Sequence, residues 1–298
     1  MHPIVIVGAG LAGYALAREL RRRAPHVQIT ILAADAADFY SKPMLSNALA
    51  QAKAPADLIA TPRADMARLL DATIVAHTRV ERIEAQSHTL LTSSGLYHYH
   101  SLVLALGADP VRLHFWGDAG DAVLSVNDLD SYAQFRARLT PRARVALLGA
   151  GLIGCEFAND LVATGHAVTV LDPAPRPLAA LLPHAASAAL ESALAEAGVE
   201  WRLAHAVRAA DVRPDGYRLT TDDGRTVDAD LVMSAVGLRP CTALAGAAGL
   251  ATGRGIAVDT YLRSSQPDVY ALGDCAEIDG HVQPYVMPIM HAARALAA

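Results

Sequence analysis

Two glycine fingerprints in one chain constrain its fold more than any other feature. Residues Ile4-Val5-Ile6-Val7 run directly into Gly8-Ala9-Gly10-Leu11-Ala12-Gly13, and Tyr14 to Leu20 continue with helical spacing. Val145 to Leu148 lead in the same way into Gly149-Ala150-Gly151-Leu152-Ile153-Gly154, with Cys155 to Leu161 as the following helix. An apolar strand, a tight glycine turn and a helix, in that order, are what a dinucleotide fingerprint requires. The first glycine allows the turn, the second lets a pyrophosphate approach the backbone, and the third lets helix and strand pack closely. The helix N-terminus then offers free N–H groups and about half a positive charge to the phosphates.

The repetition extends beyond the glycines. Each copy leads to a second apolar strand, Gln28 to Leu32 and then Ala167 to Leu171. Each also closes on a strand that ends in glycine, Leu102 to Gly107 and then Leu231 to Gly237. Self-similarity on this scale is a fold-level signal. It predicts an α/β chain with two dinucleotide-binding (Rossmann-like) domains, which suits 298 residues on the length prior. Gly107-Ala108-Asp109-Pro110 marks a boundary. The expected division is residues 1–109 for the first domain, 110–237 for the second, and 238–298 returning to the first. The stretches Ile256 to Asp259 and Val269 to Asp274 are expected to return to the first sheet.

Between these landmarks, Thr73 to Arg82 alternates as a strand, followed by Thr89 to Thr92 and Tyr97 to His100 around a Ser-Ser-Gly turn. Asn127 to Leu139 and Ala185 to Ala197 read as helices, and Asp223-Gly224 as a hairpin turn. Arg21-Arg22-Arg23 reads as a solvated helix end, where cations complement the dipole. No basic face with interleaved aromatics argues for nucleic acid, and the net charge of -5 is unremarkable. No uncharged apolar run is long enough to span a bilayer. No basic leader precedes the strand at Ile4, so a cytoplasmic protein is expected.

Asp172 ends the second strand of the second copy, where an acid accepts hydrogen bonds from a ribose 2′-hydroxyl. It also repels a 2′-phosphate, by about 4 kcal/mol at about 4 Å and an effective dielectric of about 20, which favours NADH over NADPH. Arg176 is the residue that argues the other way. In the first copy the strand ends Leu32-Ala33-Ala34-Asp35, so Asp35 is the candidate ribose acid. Lys42 precedes Pro43, which restricts it to an extended conformation. Taken alone, it is a surface lysine in a turn. His98 and His100 are expected two apart on one strand face without a third ligand at matching spacing, so no metal is expected. The three cysteines, Cys155, Cys241 and Cys275, form no close pair and are expected to be thiols.

Several further motifs occur in order: Tyr40-Ser41-Lys42-Pro43-Met44-Leu45-Ser46, Ala105-Leu106-Gly107, Gly237-Leu238-Arg239-Pro240 and Tyr270-Ala271-Leu272-Gly273-Asp274. With the two fingerprints they resemble the FAD-dependent pyridine-nucleotide reductases, whose domains carry three-layer ββα elements. The loop at Tyr40 to Ser46, the run Gly149 to Leu161 and Tyr285-Val286-Met287-Pro288 most resemble bacterial rubredoxin reductases. The resemblance implies FAD in the first domain, near Gly8, Gly10, Gly13, Asp35, Lys42, Pro43, Val80, Ala105, Gly107, Gly273, Asp274 and Pro288. It implies NADH in the second, near Gly149, Gly151, Gly154, Glu156, Asp172 and Gly237, with Lys42 and Glu156 closest to the chemistry. On the residues alone, Asp274 also reads as a helix N-cap, and Glu156 as a first-turn acid that complements the helix dipole.

The resemblance further implies electrons passing from NADH through FAD to a small one-electron carrier, rubredoxin or a similar iron–sulfur or iron–thiolate protein. Docking on arginine-bearing surface, with salt-sensitive rates, is expected if the carrier is acidic. No cysteine precedes Cys155, which excludes a thiol relay from the Tyr40 loop. Flavorubredoxin or oxygenase-ferredoxin reduction is the nearest alternative, and a non-catalytic NADH-sensing FAD protein is an alternative of another class. Relatives place a second lysine after the Leu-Ser of the loop. Asn47 stands here, so Glu156 lacks an evident lysine partner. Relatives also continue into a C-terminal interface domain beyond the position of Ala298. A chain without it is expected to expose apolar surface and hold FAD weakly.

Overall fold

The computed structural model describes residues 2–298, which divide into two compact units. Unit 1 comprises Met1–Tyr40, Ile59–Asp109 and Arg239–Ala298, and unit 2 comprises Ser41–Leu58 and Pro110–Leu238. Both have the expected α/β character.

In unit 1 five parallel strands lie in the order Val269–Ala271, Ser101–Leu104, Ile4–Val7, Ile29–Leu32 and Thr73–Val75. The central strand, Ile4–Val7, is apolar throughout and nearly all buried, as a parallel strand covered on both faces must be. Its register sets Val7 opposite both Leu32 and Leu104, so three strands end together at the glycine turn. The helix Leu11–Arg23 buries Tyr14, Leu16, Ala17 and Leu20 on the sheet. An antiparallel sheet, Val80–Glu84, Thr89–Thr92 and Gly95–His98, shares the same core through Val80, Ile83 and Leu90. The helix Val286–Leu296 packs beside the first helix.

Unit 2 repeats the plan. Its parallel sheet runs Val199–Leu203, Ala167–Asp172, Arg144–Leu148 and Leu231–Ser234. The antiparallel strands Val207–Arg213, Gly216–Thr221 and Thr226–Ala229 contribute Ala210, Leu219 and Ala229 to a core with Ala146, Leu148, Leu171 and Val232. The helix Leu152–Ala163 buries Phe157, Ala158 and Leu161. Among the described residues, no helix is long and apolar enough to cross a membrane.

Several expectations need correction. Residues 41–58, assigned to the first domain by sequence order, belong with unit 2, because side chains of its helices grip their backbone. Pro43 does not hold Lys42 in an extended loop. Lys42–Asn47 is a 3-10 helix with Pro43 in its first turn, where a missing N–H costs nothing, and Ser41 before it is the extended residue. The alternating run from Thr73 to Arg82 is two strands in different sheets, broken where His77 takes a positive φ of 51°. The third antiparallel strand ends at His98, so His100 is off it; its backbone N–H donates to Pro3 O. Ile256–Val258 does not rejoin the first sheet but pairs with Ala276–Ile278 in a sheet of three. Arg21 is not simply solvated, since its guanidinium donates to the carbonyls of Leu70, Val27 and Asp71.

Candidate dinucleotide sites

In unit 1 the glycine turn is fixed from both sides. Gly8 N–H donates to Leu32 O at 2.8 Å, and Ala105 N–H to Val7 O at 2.9 Å. A Cβ on Gly8, whose φ is +117°, would stand 2.2 Å from Ala105 O, and one on Gly13 would stand 2.0 Å from Gly8 O. Gly10 is different. A Cβ there would meet nothing within 4 Å, and its φ of -80° is open to any residue. The packing of the chain therefore explains Gly8 and Gly13 but leaves Gly10 as an open approach to the helix N-terminus, which no side chain caps. A pyrophosphate fits that combination.

The other expected residues of this unit gather at the same sheet end or border its core. Ala105 and Gly107 follow the strand Ser101–Leu104, and Gly107 has a φ of +71°. A Cβ on Gly273 would lie 2.8 Å from that of Ala12, so the turn carrying Asp274 lies against the first turn of the glycine-turn helix. The carboxylate of Asp35 accepts the Ala37 N–H at 2.9 Å within its own turn and is exposed. Val80 is buried at the start of its antiparallel strand. Pro288 sits in the first turn of the helix Val286–Leu296, whose start no side chain caps.

Unit 2 reproduces the geometry. A Cβ on Gly149 would stand 2.6 Å from Ala235 O and one on Gly154 2.0 Å from Gly149 O, while Gly151 has nothing within 4 Å. Here an acid is built into the turn. Asp172 accepts the Ala150 N–H at 2.6 Å on one carboxylate oxygen and the Ala174 N–H at 2.7 Å on the other. The following loop closes on the same residue, with Leu178 N–H donating to Ala150 O at 2.9 Å. Arg176 donates to Ala179 O, also within this loop. The buried hydroxyl of Ser234, at the carboxyl end of its strand, has no hydrogen-bond partner among the described residues. Gly237, with a φ of +113°, accepts the Val111 N–H through its carbonyl.

The helix that begins at this second turn carries two carboxylates one turn apart. Glu156 accepts the Ser46 hydroxyl at 2.6 Å. Asp160, 1% exposed, accepts the backbone N–H groups of Leu49 at 3.0 Å and Ala50 at 2.8 Å. Burial pushes the Asp160 carboxyl above its ordinary value, against the opposing pull of those two N–H groups and of Arg136. Sequence reasoning missed both Ser46 and Asp160. The Leu-Ser of the loop motif was the only signal for the first. A mid-helix aspartate gave none for the second, because it ordinarily faces water. Lys42 heads the 3-10 helix and is exposed.

A third cluster lies on the antiparallel hairpin, where His205, Asp222 and Asp223 bring ligand-type atoms within 4.8 Å of one another. The two ring nitrogens of His205 already face these carboxylates at 3.0 and 3.4 Å. Burial pushes the thiols of Cys155 and Cys275 up to about 11.

Two βαβ units, each with an open glycine at the head of its helix, define a double dinucleotide-binding oxidoreductase. The chain belongs to the pyridine nucleotide-disulphide oxidoreductase family, whose model matches residues 2–297. Its class of activity is FAD-dependent NAD(P)H oxidoreduction. It is 47% identical over its whole length to a rubredoxin-NAD(+) reductase of Acinetobacter baylyi, of which it covers 78%. It is 39% identical over 99% of its length to a nitric oxide reductase FlRd-NAD(+) reductase of Enterobacter sp., again covering 78% of that protein. Among solved structures, the ferredoxin reductase for the CYP199A2 system of Rhodopseudomonas palustris matches with a TM-score of 0.93 at 30% identity. That match covers all of this chain and 75% of the other.

Proposed function

We propose that this chain passes electrons from NADH, through FAD, to a small one-electron carrier protein, with rubredoxin the best-supported acceptor. The observation that carries the reading is the pair of open glycines, Gly10 and Gly151, with a turn-anchored acid, Asp172, at the second turn. FAD would be held by Gly8, Gly10, Gly13, Asp35, Val80, Ala105, Gly107, Gly273, Asp274 and Pro288, with Lys42 and Pro43 presented from the 3-10 helix. When bound, it supplies a group that accepts a hydride and gives up electrons one at a time.

The nicotinamide nucleotide would be held by Gly149, Gly151, Gly154, Glu156, Asp172 and Gly237. Each oxygen of Asp172 uses one lone pair on a backbone N–H and keeps another for a ribose hydroxyl. Its fixed negative charge disfavours a 2′-phosphate, which supports NADH over NADPH. Glu156, oriented by the Ser46 hydroxyl, would act at the nicotinamide end. The start of the helix Val286–Leu296 would favour negative charge on the reduced cofactor. The three cysteines are scattered, two of them deeply buried, and supply no dithiol relay. That supports a protein carrier over a disulfide substrate, and the A. baylyi relative supports rubredoxin.

The test is steady-state NADH oxidation by the FAD-loaded chain with rubredoxin, ferredoxin or a dye as acceptor. The expected result is bleaching of the flavin band by NADH well before NADPH, with turnover highest on rubredoxin. A chain that binds NADH but reduces no carrier overturns the reading in favour of a sensor.

A further inference from the structure

Residues 46–53 of the loop segment are hydrogen-bonded to side chains of two helices. Asp160 takes the N–H groups of Leu49 and Ala50, Glu156 takes the Ser46 hydroxyl, and Arg136 of the helix Leu129–Arg138 donates to Lys53 O at 2.9 Å. Of the three, Asp160 is the most costly to place, because burying a carboxylate is unfavourable unless its oxygens are paired. Both of its oxygens are spent on one turn of backbone. Glu156 lies one helical turn earlier on the same face, since residues four apart are neighbours. The segment between the two grips is only Ser46 to Ala50, so fixing Leu49 and Ala50 also fixes how far Ser46 stands from Glu156.

We infer that Asp160 is a positioning residue: by clamping Leu49 and Ala50 it seats the Ser46 hydroxyl on Glu156 and so orients the Glu156 carboxylate for the nicotinamide. This rests on the proposed function and adds a residue to it. Buried, with its oxygens on the Leu49 and Ala50 amides, Asp160 would act only through the chain it holds. Ser46 gives Glu156 a hydroxyl partner where Asn47 offers no lysine. Its hydroxyl also lies 3.2 Å from Pro43 O, but the 2.6 Å contact to a charged oxygen is the stronger claim on its proton.

Two measurements on the full chain test this. The first is amide hydrogen exchange without cofactor, which reads the clamp whatever the chain binds. In Asp160→Asn, an isosteric change that turns one acceptor into a donor, the Leu49 and Ala50 amides are expected to exchange about tenfold faster or more, as expected for a lost bond to a charged acceptor. The second is the rate at which NADH bleaches the flavin in the FAD-loaded protein. Asp160→Asn is expected to lower the limiting rate about tenfold, with the half-saturating NADH concentration and FAD content little changed. Ser46→Ala, a milder change, is expected to give a similar loss, and the double variant no further loss, because residues that act as one unit are not additive.

Unchanged amide protection in Asp160→Asn overturns the clamp. Faster exchange with an unaltered limiting rate makes Asp160 purely structural and overturns the positioning role. Losses that multiply in the double variant show that Asp160 does not act through Ser46. A wild-type chain that NADH never bleaches overturns the proposed function and the positioning role with it, and leaves the clamp to the exchange measurement.

Discussion

At the scale of single residues, the three glycines of each turn divide into those the fold needs and one it does not. Gly13→Ala would force a Cβ to 2.0 Å from a backbone oxygen that cannot yield. It is expected to cost about 3 kcal/mol or more, enough to abolish expression of folded protein. Gly10→Ala meets open space at an ordinary φ and is expected to leave stability unchanged or raise it by about 0.5 kcal/mol. The same substitution would put a methyl group where the pyrophosphate approaches, so FAD affinity should fall while urea unfolding is unaffected. Gly154→Ala and Gly151→Ala should repeat the contrast for NADH. A Gly10→Ala protein that retains FAD as tightly as wild type would mean that the phosphate lies elsewhere.

At the scale of elements, the second parallel sheet has a charged latch. Arg144, at the head of one strand, donates through Nε and Nη2 to Asp230 Oδ1 at 3.0 and 2.6 Å, while its backbone N–H meets Oδ2 at 2.7 Å. Asp230 immediately precedes the neighbouring strand Leu231–Ser234. The guanidinium hydrogen bond holds the Asp230 carboxyl below its ordinary value, outweighing partial desolvation. A depressed folded value stabilises the fold at pH above the unfolded value, near about 4, and that contribution disappears as pH falls through the folded value. The side chain of Asp230 is 35% exposed, so solvent screening trims the effect. Asp230→Ala is expected to cost about 1 kcal/mol at neutral pH. Denaturant titrations of variant and wild type should converge as the pH drops below about 4.

Much of this architecture was legible because duplicated glycine turns and apolar strands are local signals. Ile4–Val7 is legible to the residue, while the strands expected at Val145 to Leu148, Leu102 to Gly107 and Leu231 to Gly237 are Arg144–Leu148, Ser101–Leu104 and Leu231–Ser234, the last two ending before their glycines. What escaped reading was long-range. Nothing near Leu49 announces that its N–H will meet Asp160, and nothing in Thr73 to Arg82 announces that His77 will break the run. The side of the fold on which residues 41–58 settle is set by hydrogen bonds to a helix over a hundred positions later in the chain. Local periodicity carries no trace of such partners.

At the scale of the whole molecule, ligand binding should register as stability. If FAD binds only the native chain, a concentration about one hundred times its dissociation constant adds about 2.7 kcal/mol. A thermal or urea midpoint that rises with FAD and rises again with NAD+ is the expected signature of two separate sites. A midpoint indifferent to FAD up to high concentration would count against the first of them.

The order of strands in unit 1 also sets a schedule for synthesis. The outer partner of Ser101–Leu104 is Val269–Ala271, paired Leu102 to Val269 and Leu104 to Ala271. A ribosome adding about 5–20 residues per second needs on the order of ten seconds to travel between them. For that interval the apolar Ser-Leu-Val-Leu edge emerges into the cell with its backbone groups unmatched, the condition under which nascent chains pair with one another. In unit 2 the corresponding wait is about half as long, from Leu148 to the partner strand Leu231–Ser234, and the sheet is complete once Ser234 has left the tunnel. Chaperone demand during translation should therefore centre on the N-terminal third, and a slowed ribosome between residues 105 and 268 should aggregate this protein more than one slowed earlier.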